Sequence, residues 1–230
     1  MLNNGLKDYY AGLHESAIVT IKQKGFSLDA ELGSPTDHRR LTLLLRPNQH
    51  IKDTFYTFIS KSNALIPGQY CYPPTDIHVT IMPIISCYEA FSLTKLDLSI
   101  YDQLIKNALE GISRIEIQFE GVFLSPSCLI IKGFPRNEQL KLFRQNLRDA
   151  FATSNVEQSL DKRYQLVTAH STVLRFIKPV EEKERIFELI DAFKDFDFGK
   201  QYFDQVKFVY NDWYQSNSIV KDLNTYLLPA

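Results

Sequence analysis

T-D-I-H-V-T-I-M-P, residues Thr75 to Pro83, is the stretch on which the reading of this chain turns. Aliphatic residues run through a short segment closed by proline, the pattern of a buried β-strand. His78 and Thr80 interrupt it two residues apart, so in a strand they share one face. Standing alone, His78 reads as a core histidine with a local partner. The chain holds a counterpart: in V-T-A-H-S-T-V-L-R-F, Val167 to Phe176, His170 and Thr172 repeat the layout.

What precedes the two strands also matches. R-L-T-L-L-L-R-P, Arg40 to Pro47, is an apolar strand closed by proline. Asn48 then offers a helix cap, and Ile51, Phe55, Phe58 and Ile59 recur at helical spacing. A proline-punctuated loop leads to His78. Later, S-C-L-I-I-K-G-F-P, Ser127 to Pro135, is again an apolar strand closed by proline. Asn137 can cap a helix whose apolar face is Leu140, Phe143, Leu147, Ala150 and Phe151. A polar loop leads to His170. With 12 Thr and five His in 230 residues, chance supplies roughly a quarter of one H-x-T, a crude false-positive rate for so short a motif. Two occur, at corresponding places in a repeat of pattern. A weaker H-x-S at His14 sits in a helical pattern, Lys7 to Lys24, which Gly25 stops.

Two such strands brought together by an internal pseudo-twofold would put two imidazoles and two hydroxyls round one cleft. That set suits a phosphodiester. Histidine has an ordinary pKa of about 6.5, so one ring can take a proton from the attacking oxygen while the other protonates the leaving oxygen. The hydroxyls of Thr80 and Thr172 can donate to non-bridging phosphate oxygens, where charge develops. A metal site is the competing reading, but no carboxylate or cysteine at recognisable spacing completes a ligand set with the histidines. The expectation is no metal and no cofactor.

Composition bounds the rest. Hydrophobic residues make up 44% of the chain, enough for a sizeable core. A formal net charge of −1 lacks the positive excess with which proteins grip long nucleic acids. Cys71, Cys87 and Cys128 are scattered and form no C-x-x-C, which points to free thiols in a reducing compartment. No signal-peptide pattern and no membrane-length apolar run is visible. The expected setting is cytoplasmic, with no membrane partner and no obligate protein partner. The remaining segments alternate as in an α/β protein: Leu104 to Leu109 and Val180 to Phe193 are helical in pattern, Ile115 to Phe123 and Val206 to Tyr210 strand-like. Residues 27 to 37 are polar and turn-rich. The expected organisation is an N-terminal helix and connector over residues 1–37, followed by a single domain over 38–230.

The motif pair resembles the signature of the two-histidine (2H) phosphoesterase superfamily, two H-x-[T/S]-x motifs with hydrophobic flanks, one in each lobe of a duplicated fold. Here they are His78-Val79-Thr80-Ile81 and His170-Ser171-Thr172-Val173. The resemblance covers about Arg39 to the C-terminus. It implies an α+β class with a bilobal duplicated fold, in which two antiparallel sheets flank a central cleft and helices lie outside. It implies catalysis by His78 and His170, phosphate binding by Thr80 and Thr172, and a substrate that is a nucleotide or short RNA with a 2′,3′-cyclic phosphate or 2′-5′ linkage. RNA ligation would be the reverse of the same chemistry. The rival reading is a nucleotide-binding module without catalysis.

Substrate handles are fewer. Many RNA-processing members carry arginine three residues after the second threonine, where Arg175 stands, but simple alternation turns it away from the face of His170. Tyr70, Tyr72, Trp213 and Tyr214 could stack on a base or pack as core or rim. Arg39 and Arg40 could reach a phosphate or stand solvated. The N-terminal helix lies outside the family's minimal pattern, and Ser171 replaces a common aliphatic.

Overall fold

Each half of the repeat folds as strand, helix, strand, and each pair of strands is antiparallel. In the computed structural model, which describes residues 4–32, 38–162 and 164–230, the first half is β1 (Arg39–Leu45), α2 (Gln49–Leu65) and β3 (Val79–Tyr88). The second is β5 (Cys128–Pro135), α4 (Gln139–Ala152) and β6 (Ser171–Arg175). Asn48 caps α2, its side chain accepting from the Ile51 amide at 3.0 Å. Asn137 does not cap α4. Its amide donates to the Arg114 carbonyl and its oxygen accepts from the Glu116 amide, so it ties α4 to the strand behind it, and the helix begins without a side-chain cap.

Around these halves stand α1 (Asn4–Lys24), β2 (Tyr70–Cys71), α3 (Leu98–Ala108), β4 (Ile115–Ser125), α5 (Lys183–Ala192), β7 (Asp197–Phe203), β8 (Gln205–Asn211) and β9 (Lys221–Leu227). The first sheet has the order β3-β1-β8-β9 and the second β2-β6-β5-β4-β7. All pairings are antiparallel. The alternation taken above for an α/β protein therefore gives two antiparallel sheets flanked by helices, as the resemblance implied. Tyr70–Cys71, read above as loop, adds an edge strand beside β6.

The lobes are laced together by their own helices. Phe55 and Phe58 of α2 follow the first sheet in sequence yet pack edge-on against Phe119 and Phe198 of the second. Arg144 of α4 does the converse. From a buried position it donates to the carbonyls of Ile81 and Thr80 on β3 and of Thr168 before β6, at 2.9, 3.0 and 2.7 Å. One guanidinium thus satisfies backbone acceptors beside both H-x-T motifs.

The N-terminal helix packs on β4. Tyr10, fully buried, fills a small cluster with Phe123, Ile130 and Phe134. Its hydroxyl donates to the Gly133 carbonyl at 3.1 Å and accepts from the Ala169 amide at 3.3 Å. Gly133 is needed there: a Cβ would lie 1.9 Å from the Ala169 carbonyl oxygen. After Gly25 the connector pairs with the second lobe through Ser27 to Pro126 and Asp29 to Phe176. Its last residues, 33–37, and residues 1–3 lie outside the described residues. No described helix is long and apolar enough to cross a membrane.

Candidate active site

The two motifs meet. His78, Thr80, His170 and Thr172 line one small cleft with Arg40, Tyr72, Pro83, Arg175 and Trp213. In both strands the odd positions go inward: Val79, Ile81, Ser171 and Val173 are buried, while the histidines and threonines are half-exposed. That alternation follows from the pleat.

Arg175 is the exception that the structure explains. Five residues beyond His170, simple alternation turns it away, yet it lines the cleft. Where β5 advances from Leu129 to Ile130, its partner on β6 steps from Leu174 to Thr172, leaving Val173 as an extra residue. Such a bulge shifts the side-chain phase by one. Val173 and Leu174 are both buried, and Arg175 returns to the face of Thr172. The first lobe repeats the device. Between Leu43 and Leu44 of β1 the partner on β3 steps from Met82 to Thr80, and Pro83 takes the position that Arg175 holds in the second lobe. The repeat extends to a matched bulge, but only one lobe uses it to present a cation.

Arg175 is tightly held. Nε donates to the Tyr72 hydroxyl at 2.8 Å and Nη1 to Asp29 Oδ2 at 3.3 Å. Its guanidinium lies 5.9 Å from the Tyr72 ring centroid and 5.2 Å from that of Tyr214, whose hydroxyl donates to Asp29 Oδ1 at 2.7 Å. Tyr72 itself is 1% exposed. Its ring has no free face for a base, so its place in the cleft is that of a brace for Arg175. Trp213 is 42% exposed and remains open to a ligand at the cleft rim. Tyr214 and Tyr70 line an adjoining hollow rather than the cleft.

Arg40 is not a solvated residue. It is 8% exposed, its Nη2 donates to the Trp213 carbonyl at 3.3 Å, and its guanidinium lies 4.9 Å from the Trp213 ring centroid. Its Nε has no partner among the described residues. Arg40 thus brings a buried cation to the cleft lining, where its charge favours an anion. The signal was present in sequence as R-R before an apolar run, but exposure could not be read there. Tyr164, 65% exposed on the loop before β6, also lines the cleft and stood in no recognisable motif.

The histidines are neutral at neutral pH. Burial pushes His78 down to about 3, with Arg46 adding to the shift, and pushes His170 down to about 4, with Arg144 adding. His78 Nδ1 lies 2.7 Å from the Asp76 carbonyl oxygen. A carbonyl only accepts, so Nδ1 carries the proton and Nε2 is left as the acceptor. His170 Nδ1 pairs with the Thr168 hydroxyl at 2.8 Å, which suits either tautomer. Among the described residues no three His, Cys, Asp or Glu side chains gather as a metal site would require.

The architecture is shared with proteins of known structure. E. coli LigT complexed with 3′-AMP superposes with a TM-score of 0.55 at 14% identity, covering 84% of this chain and 99% of LigT. TT0787 of Thermus thermophilus also reaches 0.55 at 14% identity, covering 82% and 97%. The chain has the 2H phosphoesterase fold. The same 2H architecture appears in ATU0111 of Agrobacterium tumefaciens C58, a conserved protein of unknown function, at a TM-score of 0.54 and 14% identity over 88% and 93%. No family model and no curated protein matches this 2H-fold chain in sequence.

Proposed function

We propose that this protein is a metal-independent phosphodiesterase that acts on a nucleotide or short RNA end bearing a 2′,3′-cyclic phosphate or a 2′-5′ linkage. The observation that carries the reading is the convergence of both H-x-T pairs on one cleft that also holds Arg40 and Arg175. The fold agrees with it, since LigT of this fold has been crystallised with ATP and with 3′-AMP.

In this reading Thr80 and Thr172 donate to the non-bridging oxygens, and Arg40 and Arg175 offset the charge that builds on them. His78 acts first as base: Nε2 takes a proton from the attacking water as its oxygen bonds to phosphorus. His170 acts as acid and gives a proton to the ribose oxygen as its bond to phosphorus breaks. His170 starts neutral, so it gains its proton as the anionic substrate binds, because a phosphate beside an imidazole favours the charged ring. With a 5′-hydroxyl in place of the water, the same proton transfers would open a cyclic phosphate, bond that oxygen to phosphorus, release the 3′-oxygen and so join two ends through a 2′-5′ linkage.

The test is turnover of cyclic-phosphate and 2′-5′-linked substrates by the wild type, His78→Ala and His170→Ala, with and without EDTA. Activity that survives chelator and falls in both variants supports the proposal. Loss with EDTA and rescue by zinc would replace it with a metal hydrolase. Tight nucleotide binding with no turnover would favour the binding-module reading.

A further inference from the structure

The cleft continues past His170 into a groove of about 380 Å³, with which it shares His170 and Tyr164. Leu13, Ala17 and Thr20 of α1 form one wall, and Phe123 and Ile130 of the second sheet form the other. Among the described residues no Asp, Glu, Lys or Arg lines it. The opposite end of the cleft differs: beyond Trp213 lies a larger hollow bordered by Asp29, Glu31, His38, Arg39 and Asp212.

The contrast bears on a substrate whose phosphate sits between two organic substituents. A second phosphate placed in the groove would lose water and, apart from His170 at the junction, meet no cation among the described residues, at high cost. An uncharged ring would lose little and gain contact with apolar and aromatic walls. The groove is within the size range of pockets that hold whole small ligands, roughly 300–1,000 Å³. Tyr164 stands at the junction with the cleft, and Tyr9 and Leu13 line the groove with 44% and 38% exposure. The exposed rings of Tyr9 and Tyr164 are platforms on which a base stacks whatever its identity.

We propose that this groove is a nucleobase subsite, holding the base on one side of the scissile phosphate, with the N-terminal helix as its outer wall. The inference rests on the phosphodiesterase reading for the phosphate position, and it assigns substrate selection to a helix outside both halves of the repeat.

The test uses the full chain, the variant Ser16→Trp, and three substrates: 2′-5′-linked diadenylate and its two analogues that each lack one base. Ser16 is an exposed groove residue on α1, where a larger side chain fills the groove without entering the core. In the wild type, one of the two abasic analogues should show a KM raised about 10-fold or more, the scale of one stacked base. Ser16→Trp should raise KM for the diadenylate by a similar factor, leave kcat within about twofold, and add nothing to the loss already suffered by that analogue. A merely misfolded helix would depress all three substrates alike, and that result, or no effect on any of them, would overturn the subsite. If the wild type turns over none of the three, diadenylate affinity measured by titration calorimetry decides. Binding at least about 10-fold weaker in Ser16→Trp would uphold the subsite while sinking hydrolysis of the 2′-5′ linkage. Equal affinities would overturn the subsite, and no binding would overturn both the subsite and the 2′-5′-linked substrate.

Discussion

Asp29 grips Arg175 from outside the repeat, accepting from its Nη1 at 3.3 Å while the other carboxylate oxygen accepts from Tyr214. Both side chains of the ion pair are 13% exposed, so the pair is shielded from the screening that makes surface ion pairs weak. The connector therefore sets the position of a cleft cation. Asp29→Asn is expected to raise KM for a cyclic phosphate by about 10-fold with a smaller change in kcat, since hydrogen bonds to charged groups contribute about 1.5–3 kcal/mol. Steady-state kinetics beside Tyr214→Phe, which should show a weaker form of the same effect, checks it. An unchanged KM in both would remove Asp29 from the site.

His78→Ala and His170→Ala should each lower kcat by roughly 10²–10⁴-fold, the usual weight of a positioned acid or base. Thr80→Val and Thr172→Val should act mainly on the charged transition state, lowering kcat more than they raise KM. Circular dichroism would establish that the four variants fold.

Because both imidazoles sit well below their ordinary value of about 6.5, at about 3 and about 4, phosphate binding near pH 6.5 should take up protons. Calorimetry in two buffers of different ionisation enthalpy measures this directly. The expected sign is net uptake, with the uptake reduced in His170→Ala. Zero or negative uptake would contradict a substrate-charged acid.

The same depressed values link stability to pH. A histidine whose folded pKa lies below its unfolded one binds its proton more readily when unfolded. Its contribution is whole above about pH 6.5 and is lost as pH falls through the folded values of about 4 and about 3. Each ring can contribute at most about 1.4 kcal/mol per pH unit in that window, and less because both are half-exposed. Urea unfolding between pH 7.5 and 4.5 should show stability falling with pH, with a shallower fall in His78→Ala and in His170→Ala. Identical slopes in all three proteins would mean that other groups carry the acid sensitivity.

Gly133→Ala should destabilise the protein by about 1–3 kcal/mol, the cost of forcing atoms into a packed site. The added methyl would lie 1.9 Å from the Ala169 carbonyl, and backbone cannot rotate aside as a flexible side chain can. Thermal melts give the stability. Because Ala169 directly precedes His170, kcat should fall as well, beyond the effect of Tyr10→Phe, which removes only a hydroxyl from the same junction.

Much of the fold was legible because its information is local. The apolar runs of β1 and β5, the helical spacing of α2 and α4, and the Asn48 cap are short-range patterns. Two of the edge strands, β7 and β9, were not legible. β7 and β9 lie at the ends of their sheets and read D-F-G-K-Q-Y-F and K-D-L-N-T-Y-L. Edge strands face water on more sides, so their polar content hides the strand pattern. Asn137 misled for a related reason: a capping residue type was present, but its amide found partners on β4 that sequence distance conceals.

By itself, the sequence determined that two strand-like segments each carry a histidine and a threonine on one face, and that each follows a strand and a helix. Period-two geometry places them so as long as the alternation is unbroken from each histidine to its threonine. Only the tertiary structure decided which other groups join them. The bulge at Val173 turned Arg175 into the cleft, against simple alternation, because register is set by the partner strand. Arg40 became a buried cation because β1 lies between β3 and β8. Tyr72 became a brace because Arg175 met its hydroxyl. Phase, burial and partnership depend on contacts between residues distant in the chain, and no local pattern records them.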